Sequence, residues 1–374
     1  MIVYANIKYP ETSGNHKLQD LVSFENIRMP VHCVTLSGKS FNEKVAALRA
    51  SLTPSQSVLI LTHDYPDPDC IASAFGIQQL CIHWGIHSPV ISFGGFIGRA
   101  ENRAMVRFLN INMVPFALVD TKEFERIILV DSFPGKGNIS LPASVHVDAV
   151  LDHHPAPPDK ELTFFNDIRK DFGASSTLVT NYLLAAACPI STQLATALFY
   201  GIKTDTGDMR RDVSAIDLEC YKYLFDLIDH QILSFIEYPE RDIEFFRLLQ
   251  RSVESATSFD SVGHAHLGSV STPDYVAEMA DLFHSLDKIE WMICSGIFKN
   301  QVYFSIRSKN ESSAGQHAEQ LAQRMGGSGG GHGRAAAGRI PITQQTNAEA
   351  AAMEFETVVR ELFNVSSVQP KKFI

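Results

Sequence analysis

The sequence has no Cys-x-x-Cys pair, no apolar run near the roughly eighteen residues that a membrane helix needs, and no repeat at solenoid periods. Its six cysteines, Cys33, Cys70, Cys81, Cys188, Cys220 and Cys294, are scattered. In a chain this long that scatter reads as reduced, buried thiols rather than a disulfide framework or a zinc ribbon. Met1 to Pro10 lacks a basic segment followed by an apolar one, so no secretory signal is expected. Together these point to the cytoplasm and away from a membrane. Basic residues are also in deficit: 32 Lys and Arg against 42 Asp and Glu give a formal charge of −10. Binding to long duplexes rests on many cationic phosphate contacts, so this chain is a poor candidate for it. A small anionic substrate remains compatible, provided that positive charge is supplied locally.

What the chain does have is alternation. Its 374 residues argue for two domains. Residues 1–51 read as an extension, with an amphipathic helix over Phe41–Leu52 and no assignable chemistry. From 52 to 214, apolar strand runs at Val58–Leu61, Val90–Phe93, Ile127–Val130 and Val147–Leu151 alternate with helical patterns. Those helices are expected at Ile71–Trp84, Asn102–Leu109, Ser175–Ala187 and Thr192–Tyr200. The pattern predicts an α/β domain with a doubly wound, mainly parallel sheet. Residues 215–260 read as a helical connector broken at Pro239. Residues 261–374 read as a smaller α/β domain, with strands at Ala265–Val270, Trp291–Phe298 and Gln301–Arg307 and helices at Pro273–Ser285 and Ser313–Met325. The tail after Lys371 is expected to be loose.

Four polar clusters punctuate the first domain. His63-Asp64-Tyr65-Pro66-Asp67-Pro68-Asp69 follows the first strand, and Asp131-Ser132 follows the third. Asp152-His153-His154-Pro155 follows the fourth, and Gly201 to Gly207, with Asp205, ends an apolar helix. Taken singly, each also fits a polar turn or a helix cap. Functional groups of parallel sheets collect at the carboxyl ends of strands, and imidazole and carboxylate together suit Mn²⁺, Mg²⁺ or Fe²⁺. One metal site accounts for all four clusters, whereas capping must be invoked separately for each.

These motifs, in this order, resemble the DHH phosphoesterase family, named for the triplet found here as Asp152-His153-His154. The family's first motif matches His63, Asp67 and Asp69, its second matches Asp131, and its last metal-binding carboxylate matches Asp205. Ser328-Gly-Gly-Gly-His332 and Ser305-Ile-Arg307-Ser308 resemble elements of the associated C-terminal substrate domain. The likeness runs from about Ser57 to Ile342. It departs at Cys70, where a small residue such as Ala is usual, and it leaves the N-terminal extension outside the pattern.

The resemblance implies two Mn²⁺ ions, with Mg²⁺ or Fe²⁺ as substitutes. Asp131 would bridge them, His63 and Asp67 would complete one set, and Asp69, His153 and Asp205 would complete the other. Asp152 would orient its neighbours and His154 would meet substrate phosphate. Arg307, Ser308, Gly330, Gly331 and His332 would bind phosphate from the smaller domain, with closure between the domains. The glycine stretch Gly326–Gly333 is read as a loop ahead of a helix N-terminus, an ordinary anion site. Within the family, size and layout are most like oligoribonucleases that cleave very short RNA and cyclic-dinucleotide phosphodiesterases. The expected activity is hydrolysis of phosphodiester bonds in short oligonucleotides. The alternatives are a cyclic-dinucleotide phosphodiesterase, a 3′-phosphoadenosine 5′-phosphate phosphatase, an exopolyphosphatase, or a nucleotide sensor without catalysis. A sensor is expected to lack a ligand, and no matched ligand is missing. A homodimer is compatible. Asp64 is read as a turn residue. His83, His87, His146, His230, His264, His266, His284 and His317 lie outside the motifs and are excluded, and Glu101-Asn102-Arg103 is assigned no role.

Overall fold

In a computed structural model, residues 39–155, 165–309, 313–342 and 347–374 are described. The expectations for residues 1–38, Cys33 among them, lie outside that set.

The first unit runs α1 (Lys39–Ala50), β1 (Val58–Leu61), α2 (Pro68–His83), β2 (Val90–Phe93), α3 (Ala100–Phe108), β3 (Met113–Pro115), β4 (Arg126–Val130), β5 (Ala149–Asp152), β6 (Phe165–Ile168), α4 (Ser175–Ala185) and α5 (Thr192–Asp205). Its six strands pair in the order β3-β2-β1-β4-β5-β6, all parallel. Continuously apolar runs such as VLIL of β1 and the IILV that follows Arg126 in β4 are what a sheet covered on both faces requires. Val58, Ile60, Ile128, Val130, Ala149 and Leu151 face the helices. Leu59, Leu61, Ile127, Leu129 and Val150 face Phe116, Val119, Phe133, Leu141 and Val147 of the connection before and after β4. The strand order reverses between β1 and β4. Side chains that follow these two strands therefore meet in the crevice where such sheets bind ligands.

The helical stretch 215–260 divides. α6 (Ala215–Phe225) and α7 (His230–Glu237) bury Cys220, Leu224, Leu233 and Ile236 in the core of the first unit. α8 (Ile243–Ser255) follows Pro239 and packs Leu248 against the second unit. The second unit continues with β7 (Thr257–Phe259), β8 (Val262–Ser269), α9 (Asp274–Phe283), β9 (Trp291–Phe298), β10 (Gln301–Ser308), α10 (Ala314–Arg324), β11 (Ser328–His332), β12 (Ala335–Pro341), α11 (Ala348–Leu362) and β13 (Lys371–Lys372). Its sheet has the order β11-β12-β10-β9-β8-β7-β13, antiparallel except for the β8–β9 pair. The chain is thus an α/β protein with a parallel-sheet unit followed by a smaller mixed-sheet unit.

Two expectations need correction. The glycine stretch does not lead into a helix: β11 and β12 form an antiparallel hairpin, with Ser328 opposite Arg339 and His332 opposite Ala335. Gly329 serves close packing under α10, because a Cβ there would lie 2.7 Å from the Ala318 carbonyl oxygen, and Gly315 of α10 matches it, because a Cβ there would lie 2.1 Å from the Gly331 carbonyl oxygen. The tail is not loose either, since β13 pairs with β7 and the Phe373 amide donates to the Ala256 carbonyl at 3.1 Å.

Candidate metal centre

The first ligand cluster sits in the turn between β1 and α2. Tyr65 adopts φ 57° there, and the Asp67 side chain accepts the Cys70 amide at 3.0 Å as the N-cap of α2. His63 donates Nδ1–H to the Asp64 carbonyl at 2.9 Å, which leaves Nε2 as the ligand nitrogen. That nitrogen is 3.5 Å from Asp131 Oδ2 and 3.8 Å from Asp67 Oδ1.

Asp131 follows β4 directly, is buried, and has φ 56°. Aspartate is among the few residues that accept this left-handed conformation. The Ser175 hydroxyl donates to its Oδ1 at 2.8 Å.

The third cluster follows β5. Asp152 is fully buried, and its Oδ1 accepts the amides of His153 (2.8 Å) and His154 (3.2 Å) and the His154 Nδ1–H (2.8 Å). It therefore shapes the His-His turn and orients His154, whose Nδ1 is 3.6 Å from Asp131 Oδ1. His153 donates Nδ1–H to the Phe172 carbonyl at 3.1 Å and turns Nε2 toward Asp131 (3.5 Å) and Asp205 (3.1 Å). That Nε2 is buried and makes no hydrogen bond.

Asp205 is the last residue of α5, where the helix dipole disfavours a negative charge. Gly201, one turn earlier, brings α5 close to α2: a Cβ there would lie 3.1 Å from the Asp69 Cα.

Asp69 is buried, and its carboxylate accepts the amides of Ser175 (2.7 Å) and Ser176 (2.8 Å). Because α4 follows Ala174 and has no side-chain cap of its own, Asp69 supplies that cap from a different helix. Ser175 and Ser176 are the functional residues that sequence reasoning missed. Their only signal is the small polar run Gly173-Ala-Ser-Ser ahead of an apolar helix.

The structure thus brings His63, Asp69, Asp131, His153, His154 and Asp205 together with Cys70 in three overlapping groups of potential ligands, His63–Cys70–Asp131, Asp131–His153–His154 and Asp69–His153–Asp205, and sets Asp67 beside the first through its 3.8 Å approach to His63. The electrostatics fit a cationic occupant. Burial, then the charges of Asp131 and Asp205, pushes Asp69 well above the usual carboxylate range. Asp205 is also raised, by burial and by Asp67 and Asp131, although His153 opposes the shift. Burial pulls His153 down, but Asp205, Asp131 and Asp69 drive it up to about 11. Burial would raise Asp131, yet His63 and His153 hold it well below its ordinary range. Without a cation the cluster must hold protons to offset its carboxylates, and the four carboxylates match the charge of two divalent ions. Ligand atoms on one ion with bonds near 2.1 Å lie about 3 Å apart in octahedral geometry and slightly farther in tetrahedral geometry. The 3.1–3.8 Å separations of His63 and His153 from their carboxylates are close to that spacing.

Residues expected to bind substrate lie in the second unit. Arg307 on β10 donates Nε–H to Asp281 Oδ1 at 2.5 Å and Nη1–H to Ser305 Oγ at 2.7 Å. The other Asp281 oxygen accepts from Arg99 of the first unit at 2.9 Å. Arg241 further ties the units through Glu101 and Glu278. Tyr65, from the ligand turn, meets Phe96 edge-on at 5.1 Å, and Phe96 meets Phe298 of β9 at 6.2 Å. Ser308 is buried and donates its amide to the Arg334 carbonyl, whereas Gly330 and Gly331 are exposed on the edge strand β11, which ends at His332.

Residues 57–202 match the N-terminal domain of the DHH family, and residues 260–361 match the DHHA1 domain. The chain is 35% identical over 288 residues to an uncharacterized protein of Methanocaldococcus jannaschii, covering 76% of this chain and 58% of that protein. The chain therefore spans a little over half the length of that relative. Among solved structures, an exopolyphosphatase-related protein from Bacteroides fragilis superposes with a TM-score of 0.67 at 14% identity, covering 88% of this chain and 98% of that one. At that identity the likeness concerns the fold.

Proposed function

The chain belongs to the DHH phosphoesterase family and carries that family's DHHA1 domain, and from this premise we propose that it is a metal-dependent hydrolase of phosphodiester bonds in short oligonucleotides. The observation that carries the reading is the buried Nε2 of His153. It makes no hydrogen bond and points into a cluster where burial, then the charges of neighbouring carboxylates, raises Asp69 and Asp205.

His63, Asp67 and Asp131 would hold one ion, and Asp69, Asp131, His153 and Asp205 the other, with Mn²⁺ the preferred occupant and Mg²⁺ or Fe²⁺ as substitutes. Bound ions would supply activation of water and stabilisation of both the entering and leaving oxygens of an in-line displacement. The protein's own residues prepare the rest. The carbonyls of Asp64 and Phe172 fix the two ligand imidazoles, and Ser175 holds the Asp131 carboxylate. Asp152 locks the His154 ring against the cluster, from where it would donate to a phosphate oxygen. Arg307 of the second unit would contact a phosphate, with Ser308, Gly330, Gly331 and His332 framing the same subsite.

The charge of −10 supports a small substrate over a long duplex. So does the tight junction between units at Arg99–Asp281, Arg241 and Tyr65–Phe96–Phe298. The test is a substrate panel with Mn²⁺ present: 5′-pApA, a 24-mer, cyclic di-AMP, cyclic di-GMP, 3′-phosphoadenosine 5′-phosphate and polyphosphate. The dinucleotide should be cleaved fastest. A faster rate on any other member replaces the substrate assignment, and equal rates on 24-mer and dinucleotide end the short-substrate reading.

A further inference from the structure

Cys70 has no part in the mechanism above, yet its sulfur lies inside the metal centre. It is the third residue of α2, is wholly buried, and its amide is anchored on Asp67. Its Sγ, a ring nitrogen of His63 and a carboxylate oxygen of Asp131 lie within 4.8 Å of one another. Asp67 Oδ1 lies 3.8 Å from the His63 Nε2 of this group. The other half of the centre, Asp69–His153–Asp205, contains only nitrogen and oxygen. The two halves are therefore chemically unlike. None of the other described cysteines, Cys81, Cys188, Cys220 and Cys294, belongs to a group of potential ligands among the described residues.

We propose that Cys70 is a direct ligand of the ion held by His63, Asp67 and Asp131, and that its sulfur raises the affinity of that position for thiophilic divalent cations such as Zn²⁺ and Co²⁺ more than its affinity for Mn²⁺. Thiolate selects softer ions, whereas carboxylate and imidazole alone leave Mn²⁺ and Mg²⁺ competitive. A coordinating thiol is deprotonated outright by the ion, so a buried cysteine can serve. Bonds of about 2.3 Å to sulfur and about 2.0 Å to nitrogen and oxygen put neighbouring donors of a tetrahedral ion roughly 3.3–3.6 Å apart. The inference rests on the two-ion reading of the site, and its test separates the two.

The test is Co²⁺ titration of the full chain, read by absorbance. The expected result is two Co²⁺ bound, with a near-ultraviolet sulfur-to-cobalt charge-transfer band that saturates with the first. In Cys70→Ala and Cys70→Ser the band should vanish while the visible d–d bands of the other ion remain. Loss of an outer-shell partner alone typically weakens metal binding about 10–100-fold, so Zn²⁺ affinity at this position should fall at least that much, and Mn²⁺ affinity far less. Two Co²⁺ bound with no charge-transfer band in the unaltered protein would overturn the sulfur ligand and leave the two-ion reading intact. A band that persists in Cys70→Ala would do the same. No Co²⁺ binding would overturn both. Because serine is nearly isosteric, retention of the second ion in Cys70→Ser reports that the fold is intact.

Discussion

His153 Nε2 stands 3.1 Å from Asp205 Oδ2, close enough for strong attraction but not aligned for a hydrogen bond. A buried nitrogen left in this state is costly unless something else occupies its lone pair. Its Nδ1 is already committed to the Phe172 carbonyl, so the ring is oriented as a ligand rather than as a structural donor.

Asp131→Asn is the sharpest test of the bridging role. Asparagine tolerates the left-handed backbone found at φ 56°, so the turn should survive while the charge shared between two ions is lost. Both ions should be lost by elemental analysis. Turnover on a dinucleotide should fall by more than the roughly 10²–10³-fold cost of losing one transition-state electrostatic contact. Chelator treatment of the unaltered protein should give the same phenotype and be reversed by Mn²⁺. Full activity after chelation would sink the metal reading.

Ser175→Ala should look different. The hydroxyl touches no expected ion; it holds Asp131 Oδ1 at 2.8 Å. The backbone amide that caps onto Asp69 remains, so α4 should keep its place. Metal affinity should weaken about 10–100-fold, and added metal should restore most turnover. No change in the metal titration would remove Ser175 from the centre.

How these residues could be read from the sequence depends on what surrounds them. His63, Asp131 and His153 were legible because each follows a short apolar strand, and an abrupt switch to polar residues at a strand end is itself a signal. Ser175 and Ser176 were not, since their contribution is partly through backbone amides that any residue could supply. β6 carries Asn166 and Asp167 in a four-residue strand, too short and too polar to announce itself. The Gly-Gly-Gly of β11 has no side chains to alternate, so its pairing with β12 left no period-2 pattern. β13 is two lysines whose partner lies more than a hundred residues earlier, a contact that local pattern cannot reveal.

Arg307 and Asp281 test the division of labour between the units. Arg307→Ala should leave metal content unchanged, raise KM and lower kcat, because phosphate charge grows toward the transition state. Lysine should rescue little, since an ammonium cannot replace the planar fork. Asp281→Ala should produce a milder rise in KM. It removes the carboxylate that holds the Arg307 Nε–H and also removes the contact to Arg99 of the first unit. Its side chain is 42% exposed, so the stability loss should be small. A metal-empty Arg307→Ala protein, or one with unaltered kinetics, would refute the phosphate-contact assignment.

The last prediction concerns pH and lies outside the metal centre. His264 on β8 is buried beside Phe355 and near the buried Ser295 hydroxyl, and burial, aided by His266, lowers it to about 3. Burial also lowers His266, whose Nδ1 lies 2.9 Å from Ser295 Oγ. The nearest carboxylate, Glu356, is 3.9 Å from His264 Nδ1 and partly exposed, too weak a partner to keep a buried imidazolium. In the unfolded chain His264 titrates near its ordinary 6.5, so between there and about 3 the unfolded state binds a proton that the folded state refuses. The contribution to stability is therefore complete above pH 6.5 and is lost as pH falls, at up to about 1.4 kcal/mol per pH unit for this residue. Urea midpoints of the unaltered protein should drop across this window. In His264→Leu, which keeps the apolar packing and cannot bind a proton, they should drop less steeply. Parallel pH profiles for the two proteins would show that His264 is not the group responsible.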